Sequence, residues 1–366
     1  MDKSLIQQEI VNNLPNPCHG ILDIAARVGK SKIALDIVKR ENSQSVLWVT
    51  PNAELRDKAI PAEIQKWSPE LSDKIKIICW ASLEEHVGNY DKVILDEIQD
   101  LTIANSLGLF RGTVGFNSIL GLTATMPKHR EKLDLYNRLG LKVLKRIGID
   151  TAIDLGLIAP YNITVIECEL DSKTRNIKIP GFMKTELEQY NYLTERINEL
   201  VDSNRSVPKW MIFNRMRFIY NLPSKNQFAK KFVHDKLRNR TLVFSGSIEQ
   251  AENLGNYTYH SKTDEVCLNQ FLDGNLEILS CVNAGGTGFT YTGVDNFVIV
   301  QVNSNKKGDI TQKICRSLML QQNYTANIYI LSVKNTVDEV WKNRVLQDFN
   351  SNRIVHKCFI EFLLLV

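Results

Sequence analysis

The stretch that most narrows what this chain can fold into is Ala25 to Lys39, AARVGKSKIALDIVK. A Gly-Lys-Ser triplet (Gly29, Lys30, Ser31) opens a run whose apolar residues Ile33, Ala34, Ile37 and Val38 recur at helical spacing. Before it, Ile21 to Ala26 is an apolar run long enough for one buried strand. Strand, tight turn and helix in this order set the unpaired amides of a helix N-terminus beside a glycine, and such an end binds phosphate. Arg27, Val28 and Gly29 would line the phosphates. Lys30 would reach the β- and γ-phosphates, and the Ser31 hydroxyl would ligate Mg²⁺. The fuller phosphate-loop pattern wants a further Gly five residues before Gly29, and Ile24 stands there.

At 366 residues the chain is long enough for two domains. Its 43% hydrophobic content is that of an ordinary globular protein able to bury a core. The formal net charge is only +4, yet the segment from Arg205 to Arg240 holds ten Lys/Arg against one acid, Asp235. A basic block on a near-neutral chain reads as a polyanion contact, with a solvated helix face as the plainer alternative. Seven cysteines are scattered without a Cys-x-x-Cys pair or a His at zinc-ligand spacing. They are expected as small apolar core residues in a reducing, cytoplasmic compartment. No signal-peptide pattern opens the chain. The apolar run Phe359 to Val366 is far short of the roughly 20 residues of a membrane span, so no membrane partner is expected. That run reads as a last strand, a helix or a partner site.

Taken in order, residues 4–13 look helical. A Gln about two dozen residues before a phosphate loop can read an adenine edge, with Gln7 the better placed and Gln8 the alternative. Val46–Thr50, Ile75–Trp80, Val93–Leu95 and Ile119–Leu122 are short apolar runs that alternate with helical stretches, the pattern of a parallel α/β sheet. In such sheets ligands sit at the carboxyl ends of strands. The Gly-Lys-Ser loop, the pair Asp96-Glu97 and the triplet Thr123-Ala124-Thr125 all fall at such ends. Consecutive residues leaving a strand point opposite ways. Asp96 is therefore assigned to the Mg²⁺ shell and Glu97 to the general base that faces an attacking water. Further on, Leu242–Phe244, Glu277–Leu279, Phe297–Val302 and Asn327–Leu331 are strand-like. Gly285, Gly286 and Gly288 cluster where a backbone must approach something closely, or turn tightly. Thr185–Val201 and Phe228–Leu237 read as helices, the second with Lys230, Lys231 and Lys236 exposed.

ARVGKS, VTPNAELRD, VILDEIQ and LTATM, in this order, resemble the first lobe of a superfamily 2 helicase of the Asp-Glu-x-His/Asp-Glu-x-Gln kind. TLVFSGSIEQAE (241–252) resembles the opening of the second lobe. ILSCVNAGGTGFTYTGVDNFVIV (278–300) is similar to the fifth motif of Swi/Snf-type translocases, and DITQKICRS (309–317) to the sixth. AIDLGLIAPYNI (152–163) is similar to the crossing between lobes in phage recombination helicases. The resemblance covers most of residues 1–345 except roughly 170–240. It implies two tandem RecA-like domains with parallel sheets: residues 1–155, then 156–350 with a helical, basic elaboration over 170–240. An apolar tail, 351–366, closes the chain.

The resemblance further implies that MgATP is bound and hydrolysed between the lobes by Lys30, Ser31, Asp96 and Glu97. Gln312 and Arg316 would complete the site, and Gly286 and Gly288 would lie against the nucleotide. Gln99 with the Thr123/Thr125 loop would couple nucleotide to motion. Pro51, Asn52, Arg56, Ser82, Thr123, Thr125, Ser245, Gly246 and Asn283 would line the strand's path, with Lys230 and Lys231 adding phosphate contacts. The implied activity is an ATP-dependent helicase acting on DNA, in preference to RNA, in replication, recombination or repair. A translocase without strand separation and a nucleotide-gated binding module are the alternatives. A monomer, or a chain loaded by a replication or recombination partner, is the expected assembly, in a host cytoplasm if the source is viral. Two positions depart from the family. Met319 stands where the sixth motif has a second Arg, and Arg27 where many members have a Gly.

Overall fold

A computed structural model describes residues 2–359 except 128, 238, 283–290, 292, 303–310, 312, 313, 316 and 320–323. The chain divides into two compact units, the first built on Met1–Ala159 and the second opening at Pro160.

The first unit begins with helix α1 (Lys3–Asn12), strand β1 (Gly20–Ile24) and helix α2 (Lys30–Arg40). It continues through β2 (Val46–Thr50), α3 (Ile60–Trp67), β3 (Ile75–Cys79) and β4 (Gly88–Asp96). Then come α4 (Leu107–Arg111), β5 (Val114–Thr123), α5 (Arg130–Arg138), β6 (Val143–Ile147) and α6 (Ile149–Asp154). The six strands form one sheet in the order β3-β2-β4-β5-β1-β6, with every pairing parallel. Parallel neighbours need crossovers, and the helices that supply them cover the faces, so strands such as VLWVT of β2 are buried throughout. Helix α2 packs by Ile33, Ala34, Leu35, Ile37 and Val38. Each large aliphatic side chain so buried contributes about 1.5–3 kcal/mol.

The second unit comprises β7 (Tyr161–Cys168), the hairpin β8 (Ile177–Ile179) and β9 (Phe182–Lys184), and helices α7 (Glu186–Asp202), α8 (Lys209–Tyr220) and α9 (Pro223–Lys231). After these come β10 (Thr241–Ser245), α10 (Ile248–Leu254), β11 (Thr258–Tyr259), α11 (Val266–Leu272), β12 (Ile278–Val282), β13 (Asn296–Ile299), β14 (Ala326–Val333), α12 (Val337–Leu346) and β15 (Ile354–Cys358). Its sheet runs β11-β12-β10-β13-β14-β7-β15, again all parallel. The expected helical elaboration is α7 to α9, inserted between β7 and β10.

Six strands escape the sequence reading, among them the short β8, β9 and β11. The segment 152–163, read as a crossing, runs into β7, which lies inside the second sheet between β14 and β15. β6 is polar on its outer positions (VLKRI), which hides it from an apolar-run criterion. The start of the supposed tail, Ile354–Cys358, is an edge strand paired with β7, while 360–366 lie outside the described residues. All seven cysteines are free, and Cys18, Cys168, Cys281 and Cys315 are buried. Among the described residues no helix is long and apolar enough to cross a membrane.

Each unit is pinned by a lysine with no exposed surface. On β4, the Lys92 ammonium donates to Glu41 Oε2 at 2.8 Å, Ser118 Oγ at 2.8 Å and the Cys18 carbonyl at 3.0 Å, so its three donors are satisfied. On α9, Lys225 donates to Asp338 Oδ2 at 2.8 Å and Gln301 Oε1 at 2.9 Å. The Gln301 amide donates on to Asp338 Oδ1 at 2.9 Å, and the Val333 N–H to Asp338 Oδ2 at 3.1 Å. Removing one partner of such a pair strands a buried charge. Lys225→Ala is expected to cost about 3–5 kcal/mol, read as a lower thermal unfolding midpoint. Lys225→Met combined with Asp338→Leu should regain most of that loss, and no recovery would mean that the pair holds structure beyond its charges.

Candidate nucleotide site

The phosphate-loop candidate is built by three neighbouring strands. In the first sheet β1 lies beside β5 and β5 beside β4, with Asp23 level with Thr123 and Leu122 level with Asp96. The loop after β1, the acid pair after β4 and the Thr-Ala-Thr triplet after β5 therefore leave the sheet at one edge and one level. Gln7, Gly29, Lys30, Ser31, Asp96, Glu97, Gln99, Thr123 and Thr125 all belong to this unit.

Gly29 caps α2 in the left-handed region, φ 104°, with no side chain over the first turn and no acid in it. The amides of that turn are left for an anion. A side chain at Gly29 is excluded twice, by φ and because a Cβ would collide with the Gln7 amide. Gln7 is buried and donates to the Val28 carbonyl at 2.6 Å. Gln8 is exposed and bonds only Asn12, so of the two candidates it is Gln7 that faces the loop. One turn earlier on α1, Lys3 donates to the Arg27 carbonyl at 2.5 Å, and Arg27 holds a positive φ of 70°. Burial, then the Arg27 charge, lowers the Lys3 ammonium from its ordinary range. Lys3 was not singled out in the sequence, although its i, i+4 spacing to Gln7 is the signal that puts both on one face of α1. The Lys30 ammonium rests 3.4 Å from the Ile24 carbonyl, a weak contact that a phosphate can replace.

At the end of β4 the backbone is gripped by Trp80, whose indole N–H donates to the Asp96 carbonyl at 3.2 Å, and by Tyr136, whose hydroxyl donates to the Ile98 carbonyl at 3.0 Å. Glu97 has φ 51°, a left-handed conformation that costs a non-glycine residue about 1–2 kcal/mol. From Glu97 a hydrogen-bond relay crosses to β5. The Gln99 amide donates to Glu97 Oε2 at 2.6 Å, and the Thr123 hydroxyl stands 2.7 Å from Gln99 Oε1 and accepts from the Thr125 N–H at 3.0 Å. Thr123 is fully buried and its hydroxyl is engaged in this relay.

Burial pushes the Asp96 carboxyl up to about 7. The neighbouring Glu97 charge adds to the rise, and Lys30 opposes it. The Asp96 carboxyl accepts from the Glu97 N–H at 3.1 Å, and Asp96 and the Ser31 hydroxyl are the groups that would hold Mg²⁺ here.

Of the remaining candidates, Pro51, Asn52 and Arg56 follow β2 and are partly exposed, and Ser82 is exposed. Asn52 Oδ1 accepts from the Leu55 N–H at 3.0 Å, and Arg56 pairs with Asp57 at 2.6 Å. In the second unit, Ser245 is buried with its hydroxyl 3.2 Å from that of Ser280, so it too is closed to a strand in this structure. The Gly246 N–H donates to Gln250 Oε1 at 2.7 Å. Lys230 and Lys231 are exposed in the last turn of α9, whereas Lys225, inside the same basic block, is buried in its ion pair. Asn283, Gly286, Gly288, Gln312 and Arg316 lie outside the described residues, and Met319 is half-buried.

An unfolded Asp ionises near pH 4. Between there and about 7 the folded chain takes up a proton at Asp96, so stability falls as pH rises through that window. Asp96→Asn is expected to raise the thermal midpoint of the ligand-free protein above pH 7 and to leave it unchanged below pH 4. Excess Mg²⁺ with nucleotide should reverse the ranking. An equal shift at every pH would mean that Asp96 is not an isolated buried charge.

No protein-family model and no curated protein sequence matches the chain. Solved structures do. The helicase domain of Hef from Pyrococcus furiosus is similar with a TM-score of 0.59 at 13% identity, over 93% of this chain and 97% of that one. The ATP-dependent Type ISP restriction-modification enzyme LlaBIII, bound to DNA, gives 0.61 at 12% identity over 97% of this chain, which spans about a third (32%) of that enzyme. Dbp5 from S. cerevisiae, bound to RNA and ADP BeF3, gives 0.58 at 9% identity over 98% of this chain and 90% of that one. At these identities the likeness is one of fold: two tandem RecA-like units.

Proposed function

We propose that the chain is an ATP-dependent nucleic-acid motor of the superfamily 2 helicase kind, acting on DNA in preference to RNA to unwind or remodel it. The observation that carries the reading is the convergence of the Gly29–Ser31 loop, the Asp96-Glu97 pair and the Gln99–Thr123 relay at one edge of one parallel sheet. The fold shared with Hef, LlaBIII and Dbp5 supports it, since LlaBIII is described as ATP-dependent and bound to DNA, and Dbp5 as bound to RNA and a nucleotide analogue.

In this reading the first-turn amides of α2 and the Lys30 ammonium hold the β- and γ-phosphates. Ser31 and Asp96 hold Mg²⁺, which supplies charge neutralisation on the transferring phosphoryl group when bound. Glu97 orients and deprotonates the attacking water. Its carboxylate already accepts from Gln99, so a change at Glu97 is felt at Thr123 and Thr125 through bonds 2.6–3.0 Å long. Gln312 and Arg316 are the candidate contribution of the later motifs, with Arg316 stabilising charge on the phosphoryl group. Met319 leaves the sixth motif with one arginine, so turnover is expected to depend on Arg316 alone. Domain bounds of 1–155 and 156–350 are proposed as the two motor lobes.

ATP hydrolysis is measured with and without single-stranded DNA, branched DNA and RNA, for the wild type beside Lys30→Ala, Glu97→Gln and Arg316→Ala. Turnover stimulated by nucleic acid and reduced at least a hundredfold in all three variants is the expected result. Wild-type protein that binds ATP but shows no turnover with any polymer would sink the motor reading.

A further inference from the structure

Helix α8 presents an outward face that the packing of the second unit does not explain. Its inner side is anchored: Met211 and Ile219 are buried, and Phe218 packs with Cys168, Tyr190, Leu222 and Val333. Opposite stand Trp210, 57% exposed, Phe213, 46% exposed, and Arg217, also exposed. These three occupy positions i, i+3 and i+7, which share one helix face. From Trp210 to Arg217 the helix rises about 10 Å, roughly three nucleotides of a stacked strand. Leaving Trp210 and Phe213 in water forgoes the about 1.5–3 kcal/mol each that burial contributes, and Ile212 between them is also 39% exposed.

Helix α8 and the loop that leads into it carry charge of one sign. Between Ser203 and Asn221 stand Arg205, Lys209, Arg215 and Arg217, with no acid. The helix that α8 packs against, α7, carries Glu186, Glu188, Glu195, Glu199 and Asp202. Even so, among the described residues Arg205, Lys209 and Arg217 make no ion pair with any of them. On α8 itself, Lys209 and Arg217 are exposed, and Arg217 shares the face of Trp210 and Phe213. Two flat rings flanked by cations fit an unpaired strand, whose bases stack on the rings while its phosphates meet the cations. A duplex keeps its bases stacked on one another and would use only the charges.

We propose that the Trp210–Phe213–Arg217 face of α8 is a base-stacking contact for single-stranded nucleic acid, on a helix whose last residue, Tyr220, lies against Gly246 of the strand path implied by the helicase motifs. The proposal rests on the motor reading for the presence of a strand. Its binding chemistry does not require ATP.

The test uses the full chain and labelled oligo(dT) and oligo(rU) without nucleotide, over a salt series. Trp210→Ala combined with Phe213→Ala is expected to weaken binding about tenfold or more, with an unchanged thermal midpoint. Arg217→Ala should lower the salt slope by about one. Trp48, Trp80 and Trp341 are buried and Trp67 is 37% exposed, so quenching of tryptophan emission by the oligonucleotide should come chiefly from Trp210. It should persist in Lys30→Ala and vanish in Trp210→Phe. A double variant that binds both oligonucleotides as tightly as wild type overturns the proposal and gives this face to a protein partner. Quenching through Trp210 in a protein with no stimulated ATPase would instead overturn the motor reading and leave the stacking contact standing.

Discussion

Parallel strand pairing is the constraint on which the rest of the structure depends. In an all-parallel sheet every strand points the same way, so every carboxyl end lies along one edge, and chain segments far apart in sequence leave the sheet side by side. The register Asp23–Thr123 and Leu122–Asp96 turns that generality into a site. A loop at residues 25–29, an acid pair at 96–97 and a threonine at 123 become neighbours without any of the connecting helices having to be special. The second sheet repeats the arrangement with seven strands.

Parallel sheets are buried on both faces, and this sets the terms for polar groups inside them. Lys92 and Lys225 are tolerated because the geometry satisfies them, the first by a carboxylate, a hydroxyl and a backbone carbonyl, the second by a carboxylate and an amide. Asp96 is the opposite case. Its main chain is fixed by Trp80 and by the left-handed turn at Glu97, while burial and the Glu97 charge raise its carboxyl against the pull of Lys30. A group held rigidly and perturbed in this way is a candidate for function. The loop after β1 follows the same logic. Gln7 and Lys3 hold the carbonyls of Val28 and Arg27, and those two bonds leave the amides of the first turn of α2 untouched.

How far the sequence shows this depends on what each feature requires. Strands buried on both faces are legible as apolar runs, and β2 coincides with the run Val46–Thr50. β4 and β5 extend well before their apolar cores, through GNYD of the first and GFN of the second, which sit where the sheet is only partly covered. β6 and β15 are edge strands, and polar residues at an edge erase the apolar signal. The acid pair and the Gly-Lys-Ser triplet are legible because their chemistry demands fixed residue types. The supporting bonds of Lys3, Trp80 and Tyr136 are not, since any donor at the right distance could make them and distance is set by tertiary packing. Whether Thr123 and Ser245 are open to a strand also could not be read, because exposure at a strand end depends on what folds over it.

Charge runs carry the same lesson. The block from Arg205 to Arg240 reads as ten cations, yet it comprises groups with different physical roles. Lys225 is a core residue whose charge is spent on Asp338. Arg240 lies over the Phe271 ring and donates to the Gly293 carbonyl, which makes it a clamp between segments of the second unit. Lys230 and Lys231 end a helix, where cations complement the dipole as well as any ligand. Lys236 is half-buried and Arg238 lies outside the described residues, while Lys209 and Arg217 are exposed on the helix that carries two exposed aromatic rings. A count of charges weights all ten alike. The structure separates those already neutralised from those whose field reaches solvent, and only the second set can act on a polyanion.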